Sequence, residues 1–383
     1  MLSKPFHVIA SLGTAQTLAW GTTYYLPAVL ANSMAAELGV GTASVFVAFS
    51  AGLLLAGFLG PGSGRLIDLF GGRRVLSASS LVLAAGLAFL GAASGQVSML
   101  LAWLLIGVGM SAGLYEAAFS TLARIYGADA RRSITGITLI AGFASTICWP
   151  LSAYMDATIG WRATCWVWAL AHVVIGLPLN LILPNTRAAT TSPEGVGEKP
   201  TQRRWGVMAG LAFVFAAGWF CSTAMAAHLP RLLQEAGASL PAAIFAAALV
   251  GPAQVAARVV EFSLMRQFHP LVSARVATLT HPVASAGLYM AGAPAAPFFT
   301  VVHGGGNGVM TIAIGTLPLA LFGAAGYGLR QGLLTAPARL AQASAPFVFD
   351  LLLSRYGVGS LAFTSGLMLA SFVVLMLLPA RAK

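Results

Sequence analysis

Charge is what this chain has least of. Asp, Glu, Lys and Arg make up only 8% of its residues, whereas 58% are apolar. Soluble domains carry about 25% charged residues, so a water-soluble globule of this length is excluded. Cysteine is nearly missing: Cys148, Cys165 and Cys221 are widely spaced and form no CxxC pair. That excludes a disulfide framework and reads as small apolar packing residues. No GxxxxGK[ST] phosphate loop occurs, so any work the chain does must draw on a gradient and not on ATP. No HxxxH or HExxH pairs its histidines, and neither a metal nor a cofactor is expected. A membrane enzyme would need a spaced cluster of catalytic groups. None is visible, and no enzymatic role is expected.

Apolar runs fill the chain instead. About 20 apolar residues match the hydrocarbon thickness of a bilayer, where only helices or closed barrels satisfy their own backbone groups. Twelve membrane helices are predicted, at 6–30, 43–61, 74–94, 97–123, 134–156, 163–183, 205–229, 242–263, 272–292, 296–317, 331–353 and 358–378. These runs are too long and too uniformly apolar for barrel strands. The first begins close to Met1 without a small-residue cleavage site before a soluble region, and is expected to be a retained helix.

The net charge of +11 is distributed by side. Arg65, Arg73, Arg74, Arg124, Arg131, Arg132, Arg187, Lys199, Arg203, Arg204, Arg266, Arg330, Arg381 and Lys383 fall in alternate loops and at the end, against Arg162, Arg231 and Arg355 in the others. This asymmetry places both termini in the cytoplasm, as in a bacterial inner-membrane protein. No basic stripe is interleaved with aromatics, so nucleic acid is not an expected partner.

Residues 185–204 (NTRAATTSPEGVGEKPTQRR) are polar and rich in Pro, Gly, Ser and Thr, the composition of a flexible cytoplasmic linker. They divide the chain into an N-terminal six-helix bundle, 1–184, and a C-terminal one, 205–383. The halves echo each other. A shift of 196 lays YGADARRSITG (Tyr126 to Gly136) over FGAAGYGLRQG (Phe322 to Gly332) and Pro150 over Pro346. Gly60-Pro61 followed by Arg65-x-x-Asp68 returns as Gly251-Pro252 followed by Arg258-x-x-Glu261. Such echoes suit duplicated halves related by an axis along the membrane normal.

The turn after the second run reads GPGSGRLIDLFGGRRVL (Gly60 to Leu76). Here the chain resembles the major facilitator superfamily of secondary transporters, whose loop pattern is G-x-L-a-D-r-x-G-r-k-x-x-L. Gly64, Leu66, Asp68, Gly71, Arg73 and Leu76 match it, whereas Leu69 and Gly72 stand where basic residues are usual. The resemblance implies a fold of twelve transmembrane helices in two pseudo-symmetric bundles. It also implies a cytoplasmic latch formed by Gly64, Arg65, Asp68, Gly71, Arg73 and Arg74. Arg65, Arg73 and Arg124 are all open as partners of Asp68. GFASTICWP (Gly142 to Pro150) and GWR (Gly160 to Arg162) fit the family's fifth and sixth helices. The Arg that drug antiporters place ahead of the helix 4 glycines is missing, since Leu101-Ala102-Trp103-Leu104 precede Gly107-Val108-Gly109. AWGTTYYLP (Ala19 to Pro27), HLPRLLQEAGAS (His228 to Ser239) and Gln254-x-x-x-Arg258 look like segments of the monocarboxylate and oxalate carriers.

Ionisable residues inside the runs are functional candidates because burying them is costly. Glu116 is a candidate for proton binding or for a structural ion pair. Arg258 and Arg339 are candidates for a substrate carboxylate, with a latch role open for the first and snorkelling to the surface for the second. His228, His281 and His303 are candidates for proton transfer or for structural hydrogen bonds; His228 and His303 join Glu116 as the proton-coupling set. Trp20, Tyr24, Tyr25, Tyr115, Trp149 and Asn307 fall on helices that line the central cavity in the resembled family. There aromatics would give an apolar substrate its contact area while Asn307 orients a polar group; Gln254, on one helical face with Arg258, is a further substrate-binding candidate. HGGGNG (His303 to Gly308) lies within an apolar run with no strand before it, so it reads as close packing or local unwinding and not as a phosphate loop.

The sequence thus leads to an all-helical secondary active transporter embedded in lipid, monomeric, probing its pocket from either side in turn. A small organic anion such as a monocarboxylate, moved with protons, is the expected cargo. Efflux of drugs, toxic amphipathic compounds or metalloids is the alternative.

Overall fold

A helix satisfies its backbone internally, and in this composition almost every run does so. The computed structural model describes residues 5–185, 202–264 and 268–379. Among them there are helices and short connections and no strand. The chain forms two compact units, Met1–Ser192 with Ala324–Ala336, and Pro193–Gly323 with Pro337–Lys383. The predicted linker lies outside the described residues, apart from its first residue and its last three, where the next helix has already begun.

In the first unit the helices are α1 (Pro5–Thr22), α2 (Pro27–Leu38), α3 (Thr42–Phe70), α4 (Gly72–Gly91), α5 (Gln96–Gly113), α6 (Tyr115–Tyr126), α7 (Ala130–Ala141), α8 (Ala144–Ala171) and α9 (Leu177–Leu181). Every predicted run of this half falls on helix, but several are interrupted. The first run breaks after Thr22 and restarts at Pro27, a residue suited to the first turn because its missing N–H would have no partner there. The fourth run breaks at Leu114, whose ψ of −168° is extended. The fifth and sixth runs join as α8 across Gly160, whose φ of 80° turns the chain without a residue of loop. A single π-helical turn, His172–Gly176, leads into α9.

α3 differs most from the sequence expectation. It continues through Pro61 to Phe70, 29 residues in all, about 43 Å at 1.5 Å per residue. That exceeds a hydrocarbon core of about 30 Å. The segment read as a turn, with Arg65 and Asp68, is therefore a helical extension beyond the apolar layer, stopped at Gly71 with φ 85°.

The second unit contains α10 (Gln202–Glu235), α11 (Leu240–Ala248), α12 (Val250–Ser263), α13 (Pro270–Ala291), α14 (Ala296–Phe322), most of α15 (Tyr327–Tyr356) and α16 (Leu361–Leu377). The first ten residues of α15, up to Ala336, belong to the first unit. α14 is continuous through HGGGNG, so close packing, not unwinding, is what those glycines serve. A Cβ on Gly304 would lie 2.9 Å from the Val250 carbonyl oxygen, and one on Gly308 2.5 Å from that of Gln254. The first unit repeats the device where α3 meets α5: a Cβ on Gly107 would lie 2.4 Å from the Gly52 oxygen. Small residues bring membrane helices into backbone contact because lipid tails offer no hydrophobic drive for association. Large apolar side chains such as Phe58, 82% exposed, project outward instead, as lipid-facing surfaces require.

Candidate functional site

Asp68 lies near the end of α3, and its carboxylate takes neither of the flanking arginines as its hydrogen-bond partner. Its Oδ1 accepts from the Gly328 amide at 3.0 Å and its Oδ2 from the Leu329 amide at 2.9 Å. Those amides belong to the first turn of α15, where N–H groups lack helical partners and the helix dipole favours an anion. Arg124 contributes from α6 by donating to the main-chain oxygen of Asp68. Arg65 and Arg74 are exposed and Arg73 is half-buried. Two glycine pairs make the approach possible, Gly60 and Gly64 on α3 and Gly328 and Gly332 on α15. A Cβ on Gly332 would lie 2.5 Å from Pro61 Cα, and one on Gly328 2.2 Å from the Gly64 oxygen. Both pairs are GxxxG spacings that the sequence displays; which helices they join is a tertiary matter.

The predicted aromatic residues of the first unit form one continuous cluster. Trp20 sits 4.9 Å from Tyr115 and 5.3 Å from Tyr24, ring centre to ring centre. Tyr25 meets Trp149 edge to face at 5.8 Å, and the Trp149 indole N–H donates to the Tyr25 carbonyl at 3.1 Å. This last bond reaches the interruption between α1 and α2 from α8. The cluster extends through Phe49, 5.8 Å from Tyr24, and through Phe119, stacked on Tyr115 at 5.2 Å. Glu116 follows Tyr115 and is half-buried. Because α5 ends at Gly113, Glu116 occupies the first turn of α6 and not the middle of a long helix. An acidic side chain there is favoured by the dipole.

Asn307 is in the second unit, among different company. His281 and His303 meet through their Nδ1 atoms at 3.0 Å, and His281 Nε2 lies 2.9 Å from Thr364 Oγ1. All three side chains are buried. Asn307, His281 and His303 line a cavity of about 20 Å³ together with Cys221 and Met310. No sequence spacing relates the two histidines; helices α13 and α14 bring them together. His228 stands apart from them, with Nε2 at 2.8 Å from the Pro346 carbonyl and Nδ1 3.9 Å from Asp350, which also pairs with Arg231 at 2.6 Å.

The two candidate arginines are both buried. Arg339 on α15 donates to Gln342 Oε1 at 2.8 Å, with the Trp219 ring 5.5 Å from its guanidinium carbon. Arg258 on α12 is three residues before Glu261, also buried, whose Oε2 accepts from Ser273 at 2.9 Å. Residues three apart share a helix face. Glu261 thus holds in α12 the place that Asp68 holds in α3, and the sequence echo between them was the available signal. Gln254 is half-buried one turn before Arg258.

Long apolar helices in two units, close glycine crossings and a few buried polar groups define a polytopic membrane protein. Residues 12–301 match the family model described as Major Facilitator Superfamily, and the chain belongs to that superfamily. It is a transporter and not an enzyme. Its fold is similar to that of the human organic anion transporter MFSD10 (TETRAN), with a TM-score of 0.76 at 16% identity over 97% of this chain and 100% of the other. It is also similar to the proton:xylose symporter XylE bound to 6-bromo-6-deoxy-D-glucose, with a TM-score of 0.76 at 13% identity over 99% of this chain and 97% of the other. No curated protein sequence matches the chain.

Proposed function

We propose that this transporter carries a small organic anion, such as a monocarboxylate, across a bacterial inner membrane by alternating access coupled to protons. The observation that carries the reading is Arg339, 5% exposed within an apolar helix. A guanidinium at such a position is costly to bury, and an ionisable group within a membrane span is a functional-site candidate. Gln342 and the Trp219 ring fix the plane of its fork, and that fork matches a carboxylate bidentately. Arg258, with Glu261 on its own face, fits the second rank for this role. One protein of similar fold is by name an organic anion transporter, which agrees with the reading.

Glu116 is the first candidate for the coupling proton, with His228 and His303 behind it. The symporter of similar fold is described as proton-coupled. In this reading the Gly64–Arg74 segment latches the start of α15, and the contact is made and broken during turnover. Both termini are cytoplasmic and the monomer is the working unit. The aromatic cluster around Trp20 supports a second reading, efflux of amphipathic toxic compounds, which a drug and metalloid sensitivity screen on a deletion strain separates from the first.

The test is counterflow in proteoliposomes with radiolabelled monocarboxylates. Arg339→Gln is expected to lower uptake at least tenfold, and Arg258→Gln less. Unchanged uptake in both variants sinks the anion assignment.

A further inference from the structure

We infer that the second unit binds a soft monovalent metal cation, Cu(I) or Ag(I), at its cavity, through His303 and the thioethers of Met310 and Met368 with Cys221 beside them. The lining itself points there. Met310, Met368, Cys221, His281 and His303 line the cavity, and no Asp, Glu, Lys or Arg does; the Cys221 thiol donates to the Thr364 carbonyl at 3.6 Å. Hard cations need several oxygen anions and an organic anion needs a positive charge, whereas uncharged sulfur and imidazole ligands select soft cations. The free volume of about 20 Å³ suits one ion or one or two waters and not an organic solute.

Helix register aligns the donors. His303, Asn307 and Met310 lie at successive turns of one stripe of α14, and Thr364 and Met368 do the same on α16. Among the described residues no group of three drawn from His, Cys, Asp and Glu is placed to hold a metal. A closed zinc site is therefore not what this cavity offers, and the thioethers of Met310 and Met368 are the further donors in its lining.

The histidine pair supplies the orientation that such a site needs. Thr364 Oγ1 lies within hydrogen-bond reach of both the Leu361 carbonyl, at 3.2 Å, and His281 Nε2, at 2.9 Å. In the tautomer the site requires, His281 donates from Nε2 and its Nδ1 accepts from His303 Nδ1–H at 3.0 Å. That tautomer puts the lone pair of His303 on Nε2, the atom that would take the metal. A metal-binding histidine characteristically donates its other N–H in this way, fixing tautomer and ring plane. His281 is thus a positioning residue. Arg339 does not line this cavity, and the test does not depend on transport.

The full chain, purified in detergent, is titrated with Cu(I) against a chromophoric Cu(I) chelator. One ion per chain is expected, with His303→Asn, Met310→Leu and Met368→Leu each weakening binding at least tenfold. His281→Asn, which touches no metal, should weaken it by about 10–100-fold. Leu replaces Met with little change of volume, and an unchanged thermal midpoint of Met310→Leu certifies its fold. X-ray absorption of the loaded protein should show mixed sulfur and nitrogen ligation. No retained Cu(I), wild-type affinity in the Met310→Leu/Met368→Leu double variant, equal affinity for Zn(II), or ligation by nitrogen and oxygen alone would each overturn the assignment.

Discussion

Gly64 and Gly328 touch backbone to backbone: a Cβ built on Gly64 would stand 1.9 Å from the Gly328 carbonyl oxygen. Nothing larger than hydrogen fits on either side while Asp68 reaches the amides of Gly328 and Leu329. Gly64→Ala is therefore expected to force α3 and α15 apart. Overpacking of this kind costs about 1–3 kcal/mol, read as a lowered thermal unfolding midpoint together with reduced transport. Gly62→Ala is the control, since a Cβ there meets nothing within 4 Å. Its midpoint should hold or rise slightly, because Gly inside a helix is worse than Ala by about 0.5–1 kcal/mol.

Asp68→Asn keeps one acceptor oxygen but loses the charge and the second acceptor. Hydrogen bonds to a charged group contribute about 1.5–3 kcal/mol, so one α15 amide and the favourable dipole interaction are forfeited together. Lower transport at undiminished expression is the expected outcome, measured by initial rates in proteoliposomes. Full activity of Asp68→Asn would show that the amides of α15 do not need the anion.

Glu116→Gln addresses the coupling proton. Counterflow, which needs no net proton movement, is expected to survive in this variant, while accumulation driven by a pH gradient is lost. Retention of full gradient-driven accumulation would remove Glu116 from the coupling role and leave His228 and His303.

A fourth expectation concerns pH and lies outside the apolar spans. Glu37, at the end of α2, accepts from Arg162 Nε at 2.6 Å and from the Trp161 indole at 2.5 Å. The hydrogen bond from Arg162, more than any other contact, holds its carboxyl below the ordinary value of 4.5. A carboxyl lowered in the folded state stabilises that state above the unfolded pKa, and the gain is lost as pH falls through the folded one. Glu37→Gln should thus lower the thermal midpoint near neutral pH, with the difference closing as pH drops below 4.5. A difference that persists unchanged in acid would mean that the carboxylate's charge is not the cause.

Much of the fold was legible in the sequence, and its failures have local causes. The run at 97–123 looked continuous because hydropathy does not register backbone dihedrals, yet Leu114 is extended and resets Glu116 to a helix start. The run ending at 61 looked complete because charge resumes at Arg65, yet α3 continues to Phe70, since Arg and Leu are as good helix formers outside the apolar layer as inside it. Among candidate site residues, the aromatic positions of the first unit do assemble. Asn307 keeps company with His281, His303 and Cys221 instead.

That this chain lives in a bilayer as helices follows from composition alone, because transfer of a segment into hydrocarbon depends on its own residues and on satisfying its own backbone. The sequence also displayed the glycines, since spacing along one helix is a one-dimensional property. What those glycines meet emerges only when the helices pack. Asp68 finds its donors 260 and 261 residues away, and His281 finds His303 on a neighbouring helix. Such pairings depend on how helices cross and rotate, which is set jointly by many contacts and written in no single segment.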